Sequence, residues 1–229
     1  MTPKHHIVFL TGAGISQESG ISTFRDANGL WNNHKIEEVA SPEGFEKNPQ
    51  LVLDFYNARR RQLDEVNPNE AHHLIAQLET KYNVTIITQN IDDLHERAGS
   101  TNVLHLHGEL RKCRSSKNPN LIYTCTQDIK LGDLASDGNQ LRPHIVWFGE
   151  AVTEIEKAIA ITQSADLFVI VGTSMVVHPA ASLLLAVPVD VQTVYIDNNP
   201  DVEEGINLLV IKEKATAGVR ILVEECLPY

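Results

Sequence analysis

Residues 7–31 have the sequence IVFLTGAGISQESGISTFRDANGLW, in which an apolar run passes directly into glycines. The run predicts a buried strand, and Gly12 and Gly14 allow the backbone after it to approach a phosphate. The third glycine of the dehydrogenase dinucleotide-binding pattern would fall at position 17, which is Gln17. The stretch therefore predicts a strand leading into a phosphate-binding loop of another kind, and a plain tight turn remains the alternative.

Short strand-like runs alternate with amphipathic segments along the rest of the chain. After HIVFLT come VTIIT, VLHL, LFVIVG, TVYID and LLVI, and segments such as NEAHHLIAQLETKY place apolar residues on one helical face. Near-continuous apolar strands that alternate with helices predict an α/β fold. We expect a Rossmann-like parallel sheet domain with helices on both faces.

Two regions break this alternation and predict a small inserted lobe. Residues 35–66 have helical patterns without a strand, and residues 111–141 are polar and rich in turn-forming residues. We therefore assign residues 1–34, 67–110 and 142–229 to the sheet domain and the two irregular regions to the small lobe. A cleft between the two parts is a natural place for a substrate.

The composition restricts the classes of function. The chain has 229 residues, and its formal net charge of −11 disfavours nucleic acid and anionic membrane surfaces as partners. No apolar run approaches the roughly 18–20 residues that span a bilayer, and the N-terminus lacks the features of a signal peptide. Three widely spaced cysteines are not a disulfide framework, which favours a reducing cytoplasm. We expect a cytoplasmic protein and a monomer.

Polar side chains follow the second predicted strand. Ligands of parallel sheets lie beyond the carboxyl ends of the strands, and Gln89, Asn90 and Asp92 come directly after VTIIT. Three polar residues so close together at a strand end predict contacts with a ligand. An Asx turn that caps a helix starting near Asp92 is the alternative explanation.

Two further strand ends carry residues suited to chemistry. His105 and His107 lie two apart in VLHLHGEL, and a histidine at this edge of the sheet is a candidate general base. Gly172, Thr173 and Ser174 follow LFVIV and suit a phosphate or a ribose. A structural histidine and a simple helix cap are the alternatives. The convergence of these loops favours a nucleotide site.

The ordered motifs GAGIS, SGISTFR, GLW, TQNID, HLHGEL, LRPHIVWFGE, ADLFVIVGTS and HPAA resemble the sirtuin family of NAD-dependent protein lysine deacylases. The resemblance covers roughly residues 7–220. It implies that NAD is a co-substrate whose nicotinamide leaves, and that acyl-lysine proteins or peptides are the partners. The acyl group would be transferred to give free lysine and O-acyl-ADP-ribose.

The resemblance also implies roles for individual residues. His107 matches the catalytic histidine, and Asn90 would take part in catalysis. The backbone of Val146, Phe148 and Gly149 would pair with an extended substrate peptide. Asp197 stands where the family usually has asparagine. The expected NAD-binding residues are Gly12, Ala13, Gly14, Ile15, Phe24, Arg25, Trp31, Gln89, Asn90, Ile91, Asp92, Gly172, Thr173, Ser174, Asp197, Asn198, Asn199 and Ala215.

One predicted helix places an arginine within an apolar stripe. In the helix that begins near Pro49, Val52, Tyr56, Arg59 and Leu63 share one face. A buried arginine is energetically costly unless it meets a carboxylate. Pairing with a local acid, or extension of the side chain to solvent, is the alternative explanation that needs no ligand.

The same segment, FYNARR, resembles the sirtuin subclass that removes succinyl or malonyl groups. The resemblance implies that Tyr56 and Arg59 hold the distal carboxylate and that the small Ala40 makes room for the acyl chain. We expect deacetylation as a second activity. Arg60 and Arg61 are expected to be solvated.

The small lobe departs from the family pattern. Most sirtuins hold this lobe with two CxxC pairs around zinc, whereas here it offers only Cys113 and Cys125, with no CxxC. We expect no structural zinc and a lobe held by its own packing. The apolar residues expected to form that packing are Leu121, Ile122, Tyr123, Ile129, Leu131 and Leu134.

Two other functions share the same site. A mono-ADP-ribosyltransferase would use the same NAD chemistry with another acceptor. A non-catalytic NAD-sensing module is disfavoured because Asn90, Asp92 and His107 are all present.

Overall fold

A computed structural model describes residues 4–21, 30–31, 34–175, 177–200 and 203–227. Phe24 and Arg25 lie outside the described residues, and for Trp31 only the backbone is described.

In this part of the chain, the strands are β1 (His6–Thr11), β2 (Leu30–Trp31), β3 (His34–Lys35), β4 (Asn83–Thr88), β5 (Val103–His105), β6 (Gly108–Ser115), β7 (Ile122–Thr124), β8 (Leu141–Ile145), β9 (Leu167–Val171), β10 (Gln192–Ile196) and β11 (Leu208–Ile211). The α-helices are α1 (Ala13–Gln17), α2 (Ile36–Val39), α3 (Pro42–Lys47), α4 (Pro49–Glu65), α5 (Glu70–Leu78), α6 (Leu94–Ala98), α7 (Ile155–Gln163) and α8 (Ala215–Ile221). A 3₁₀ segment covers Ala180–Ala186, and a π-helical turn covers Leu222–Cys226.

A parallel sheet forms the larger part of the molecule. Its strands among the described residues follow the order β11-β10-β9-β1-β4-β5, and every pairing in it is parallel. The central strand β1 pairs with β4 on one side and β9 on the other, so the loops after these three strands meet at one edge. The six predicted strand-like runs all lie in this sheet. The predicted fold class is confirmed.

Alternation along β1 explains the layers of helices on both faces. Ile7 and Phe9 belong to the core that contains residues of α5 and α8, whereas Val8 and Leu10 belong to the core that contains Ala158 of α7. Successive side chains of a strand point to opposite faces, so a strand that is apolar throughout requires both layers. Within the described ranges, no helix is long and apolar enough to cross a membrane.

The glycines after β1 and β9 allow two loops to touch. Gly14 N–H donates to the Gly172 carbonyl at 2.8 Å, and a Cβ on Gly14 would lie 2.6 Å from Gly172 Cα. Gly172 has φ +62°, and a Cβ there would lie 2.5 Å from the Ile15 nitrogen. These glycines are therefore needed for packing between loops, whatever ligand binds beside them.

Gly172→Ala is expected to lower the free energy of unfolding by about 2–5 kcal/mol, because a strained backbone and a backbone clash coincide. Urea denaturation measures the change. Gly138→Ala is the matched control, since Gly138 also has positive φ, at +78°, but an added Cβ would meet nothing within 4 Å. Equal losses in both variants would contradict the account.

A second, antiparallel sheet packs against α4. Its strand order is β7-β6-β8, and its buried residues Cys113, Cys125 and Ile129 contact Leu53 of α4. Ile129 is buried as expected, but the expectation for Ile122, Leu131 and Leu134 was wrong because all three are exposed. The packing of the lobe therefore depends on its two cysteines and on α4.

Candidate functional site

Side chains from three strand ends meet in one hydrogen-bond network. Gln89 Nε2, after β4, donates to Thr173 Oγ1, after β9, at 2.9 Å. Asn90 Nδ2 donates to the Gly12 carbonyl and to Ser16 Oγ, each at 3.1 Å. Asn90 is buried, and its Oδ1 is the side-chain atom left to accept a hydrogen bond from a ligand.

Asp92 lies beneath this network. Its Oδ2 accepts from Ser16 Oγ at 3.0 Å, and its Oδ1 accepts from Leu94 N–H at 3.2 Å, at the start of α6. The Asx contact, given above as the alternative explanation for these polar residues, is therefore present together with a bond to α1. Burial raises the pKa of Asp92 to about 6, although both donors favour the charged form.

Asp92→Asn is expected to stabilise the protein at neutral pH. Because the folded pKa lies above the ordinary 3.8, the folded state binds the proton more tightly, and stability falls as pH rises from about 4 to 6. The variant avoids this cost. Its free energy of unfolding should be higher than that of the original protein by about 1–3 kcal/mol at about pH 7–8 and equal to it near pH 4. Urea denaturation at several pH values measures the difference. A gain that does not vary with pH would contradict the burial argument.

His105 and His107 are held by successive backbone carbonyls. His105 Nδ1 bonds to the Asn90 carbonyl at 2.9 Å and its Nε2 to Glu96 Oε1 at 2.8 Å. Burial opposes the charged form of His105, but Glu96, the Asn90 carbonyl and Glu109 together outweigh burial and raise its pKa. Because both ring nitrogens are hydrogen-bonded within the protein, His105 has a structural role.

His107 differs from its neighbour in electrostatics. Its Nδ1 donates to the Gln89 carbonyl at 3.0 Å, which leaves Nε2 with the lone pair, and burial lowers its pKa. It is therefore neutral at neutral pH. The strand β5 ends before it, at His105, and β6 begins after it, at Gly108.

A crevice opens beside the glycine loops. Its lining includes Gly14, Gly172, Asp197, Asn198 and Ala215, which come from four different segments of the chain. Asp197 is buried, and its Oδ1 accepts from the Asn199 backbone N–H at 2.8 Å. The structure thus brings these five of the expected nucleotide-binding residues together near the carboxyl ends of β1, β9 and β10.

The segment after β8 lies between His107 and the small lobe. Val146 N–H donates to the His107 carbonyl at 2.9 Å, and Phe148 N–H donates to the Ala40 carbonyl at 3.0 Å. The Phe148 side chain is exposed, and Gly149 has φ +90°. Expected peptide-contacting residues are therefore adjacent to the candidate base and to Ala40.

A partly buried ion pair supports this segment, and sequence reasoning missed it. Arg142 donates from Nη1 and Nη2 to the Glu150 carboxylate at 2.7 and 3.0 Å, and its Cζ lies 3.2 Å above the Trp147 ring centroid. Glu150 Oε2 also accepts from Trp147 N–H at 2.9 Å. Trp147 Nε1 donates to the Tyr56 hydroxyl at 3.1 Å, which joins the segment to α4.

The arginines of α4 differ in their environments. Arg59 packs over the Phe55 ring at 5.2 Å, and burial lowers its pKa. Its Nε and Nη1 are buried without a hydrogen-bond partner among the described residues.

The expectation that Arg60 is solvated was wrong. Arg60 is 1% exposed, and its Nε and Nη1 donate to the Leu110 carbonyl at 2.8 Å and to Asn57 Oδ1 at 2.7 Å. Arg60 is buried because the face of α4 that bears Leu53 and Asn57 packs against the antiparallel sheet. Arg61 pairs with Asp128 at the surface, as a solvated arginine would.

The two cysteines of the lobe do not fit a zinc site. In the described parts of the chain, no three His, Cys, Asp or Glu side chains converge as metal ligands. The thiols of Cys113 and Cys125 hydrogen-bond each other, and both feel the charge of the buried Arg60, which disfavours a nearby cation. A structural zinc needs four ligands.

Prolonged treatment with a metal chelator is therefore expected to leave activity and melting temperature unchanged. Activity assays and thermal melts of treated and untreated protein, with metal analysis of both, measure the effect. Loss of activity together with loss of bound zinc would contradict this expectation.

The fold and the site define an α/β protein with glycine-marked loops and polar side chains at the carboxyl ends of a parallel sheet, beside a separate antiparallel sheet. The Sir2 family model matches residues 12–179. A Helicobacter pylori protein named NAD-dependent protein deacylase is 62% identical over 192 residues, which cover 84% of this chain and 84% of that protein. The chain belongs to the Sir2 family.

Solved structures agree with this assignment. A crystal structure of a Sir2 homolog–NAD complex matches with a TM-score of 0.85 and 39% identity, covering 96% of this chain and 88% of that chain. A mutant of Sir2 homologues in complex with 2′-O-acetyl ADP ribose matches with a TM-score of 0.85 and 38% identity, covering 96% of this chain and 91% of that chain.

Proposed function

We propose that the protein removes succinyl or malonyl groups from protein lysine side chains, with acetyl groups as a second class of substrate, and that it consumes NAD. Family membership and the deacylase relatives support NAD-dependent deacylation. The preference for an acidic acyl group depends on one observation, the unpartnered guanidinium atoms of Arg59.

A buried guanidinium without an acceptor is energetically unfavourable, because desolvation of the charge is not offset by hydrogen bonds. In Arg59, the Nε and Nη1 atoms are buried and have no acceptor among the described residues. A carboxylate on the substrate would give Nη1 an acceptor, because the planar guanidinium can make two parallel bonds to one carboxylate through its two terminal nitrogens. An acetyl group offers no such acceptor.

A series of contacts links Arg59 to the candidate base. Tyr56 lies one turn before Arg59 on α4 and accepts from Trp147 Nε1 at 3.1 Å. Trp147 follows Val146, whose N–H donates to the His107 carbonyl. A lysine side chain that enters beside Val146 would carry its acyl group between His107 and Tyr56, with the distal carboxylate near Arg59.

His107 has the protonation state that a general base needs. Its Nδ1 proton is held by the Gln89 carbonyl, so Nε2 would accept the proton of a ribose hydroxyl. The transferred proton would make an imidazolium whose Nδ1–H remains bonded to that carbonyl. The bond therefore fixes the ring orientation before and after the transfer.

The strand-end loops would hold NAD, which supplies the ADP-ribosyl group that receives the acyl group. The crevice beside Gly14 and Gly172 would accept the adenosine part, with the Asp197 carboxylate as an acceptor for ribose hydroxyls. Asn90 would direct Oδ1 into the nicotinamide and ribose pocket, because both hydrogens of its Nδ2 are used by Gly12 and Ser16.

Peptides of one sequence that carry succinyl-, malonyl- or acetyl-lysine test the proposal. The expected result is NAD-dependent release of all three acyl groups, with a lower KM for the two acidic groups. Efficient deacetylation without removal of either acidic group would overturn the proposed preference. Failure with all three peptides would overturn the proposed deacylase activity.

A further inference from the structure

The two buried thiols of the small lobe touch each other. Cys113 on β6 is opposite Tyr123 on β7, and Cys125 N–H donates to the Arg111 carbonyl at 2.7 Å. Cys125 thus lies two residues beyond Tyr123, on the same face of the sheet as Cys113. Both thiols belong to one buried cluster with Leu53 and Ile129, and the Cys125 thiol donates to the Gln127 carbonyl at 3.3 Å.

A fixed positive charge lies beside this pair. Arg60 belongs to α4, and its guanidinium favours the thiolate form of both cysteines. The hydrogen bond from Cys113 lowers the pKa of Cys125 to about 7, whereas the same bond raises the pKa of Cys113. The Nη2 atom of Arg60 is buried and lacks a hydrogen-bond partner within the described ranges. Cys125 is also the more exposed of the two, 9% against 4%, so it is the thiol that a peroxide meets first and the nucleophile of the pair, and Cys113 is placed to react with it.

We propose that Cys113 and Cys125 form a site of reversible oxidation, at which a hydroperoxide converts the two thiols into a disulfide. The Cys125 thiolate attacks one peroxide oxygen, the O–O bond breaks, and hydroxide leaves and takes up a proton, which gives a sulfenic acid and water. The Cys113 sulfur then attacks Cys125 Sγ, the S–O bond breaks, and the Cys113 proton leaves in a second water. Two thiols lose two electrons and two protons, and hydrogen peroxide is reduced to two waters.

The position of β7 permits the two sulfurs to close. Diagonal neighbours on paired strands are usually further apart than a disulfide requires, so one strand must shift. The strand β7 has three residues and lies at the edge of its sheet, next to β6 alone. It can therefore shift along β6 without breaking a second set of strand pairs.

The third cysteine provides an internal comparison. Cys226 is exposed, but desolvation and Glu225 raise the pKa of its thiol. Accessibility favours oxidation of Cys226, whereas thiolate character and a neighbouring thiol favour the lobe pair. The proposal requires thiolate character and the neighbouring thiol, and not accessibility, to determine where a disulfide forms.

Full-length protein with the Cys226→Ser substitution, treated with hydrogen peroxide, tests the proposal. Alkylation after denaturation should label two thiols before treatment and none afterwards, with a mass about 2 Da lower that dithiothreitol restores. Peptide mapping should join the segments that contain Cys113 and Cys125. Two thiols that still react after treatment, or irreversible oxygen adducts without a disulfide, would overturn it.

A second substitution separates the two steps. In Cys113→Ser, Cys226→Ser protein, peroxide should leave a sulfenic acid on Cys125 that dimedone traps, because the thiol that resolves it is missing. The reciprocal variant with Cys125→Ser should give little dimedone adduct on Cys113, whose pKa is raised. Equal trapping at both positions would contradict the assignment of Cys125 as the nucleophile.

Discussion

Replacement of His107 with alanine is expected to lower the rate of O-acyl-ADP-ribose formation by about 10²–10⁴-fold, the usual contribution of a positioned general base. The fold should persist, because the side chain makes one described hydrogen bond, to the Gln89 carbonyl. Mass spectrometry of the product and a thermal melt of each protein measure the two effects.

The control is His73→Ala, because His73 is exposed on α5 and lies outside the site. The pH profile provides a second test of the role of His107. The base must be neutral, and burial lowers its pKa, so activity should fall on the acid side with an inflection below about 6.5. Full activity in His107→Ala would contradict the assignment.

Arg59→Met should affect acidic acyl groups selectively. Hydrogen bonds to charged groups contribute about 1.5–3 kcal/mol, so kcat/KM for succinyl-lysine should fall about 10- to 150-fold. The value for acetyl-lysine should stay the same or rise, because the variant removes a half-buried charge for which an acetyl group offers no acceptor. Steady-state kinetics on matched peptides measure both.

The matched control is Arg61→Met, which removes an arginine two positions further along the same helix. Arg61 pairs with Asp128 at the surface, so its loss should change neither substrate preference nor stability by much. Equal losses on both substrates in Arg59→Met would indicate a structural role for Arg59 and would contradict the carboxylate clamp.

The sheet could be predicted because each of its strands is a nearly continuous apolar run. Ligand-facing residues such as Gln89 and Asn90 could be proposed because they directly follow such a run. The position of Arg60 could not be predicted. The pattern of α4 showed one apolar stripe, but the helix is covered on a second face, where Leu53, Asn57 and Arg60 step by four and three.

Contacts between the site and residues distant in the sequence could not be predicted either. Glu150 and Arg142 meet Trp147 only because β8 and the turn after it fold back, and no local spacing indicates a buried ion pair. Ser16 bridges Asn90 and Asp92, residues more than seventy positions away along the chain. The position of Ser16 within GAGIS was the one feature of the sequence that indicated a role in the site.

The stoichiometry of one reaction tests the central claim most directly. Purified protein, NAD and a succinyl-lysine peptide should give free lysine peptide, nicotinamide and O-succinyl-ADP-ribose in equal amounts, with no product when NAD is left out. Release of nicotinamide with the peptide still succinylated and ADP-ribose attached to protein would contradict deacylation and identify a mono-ADP-ribosyltransferase.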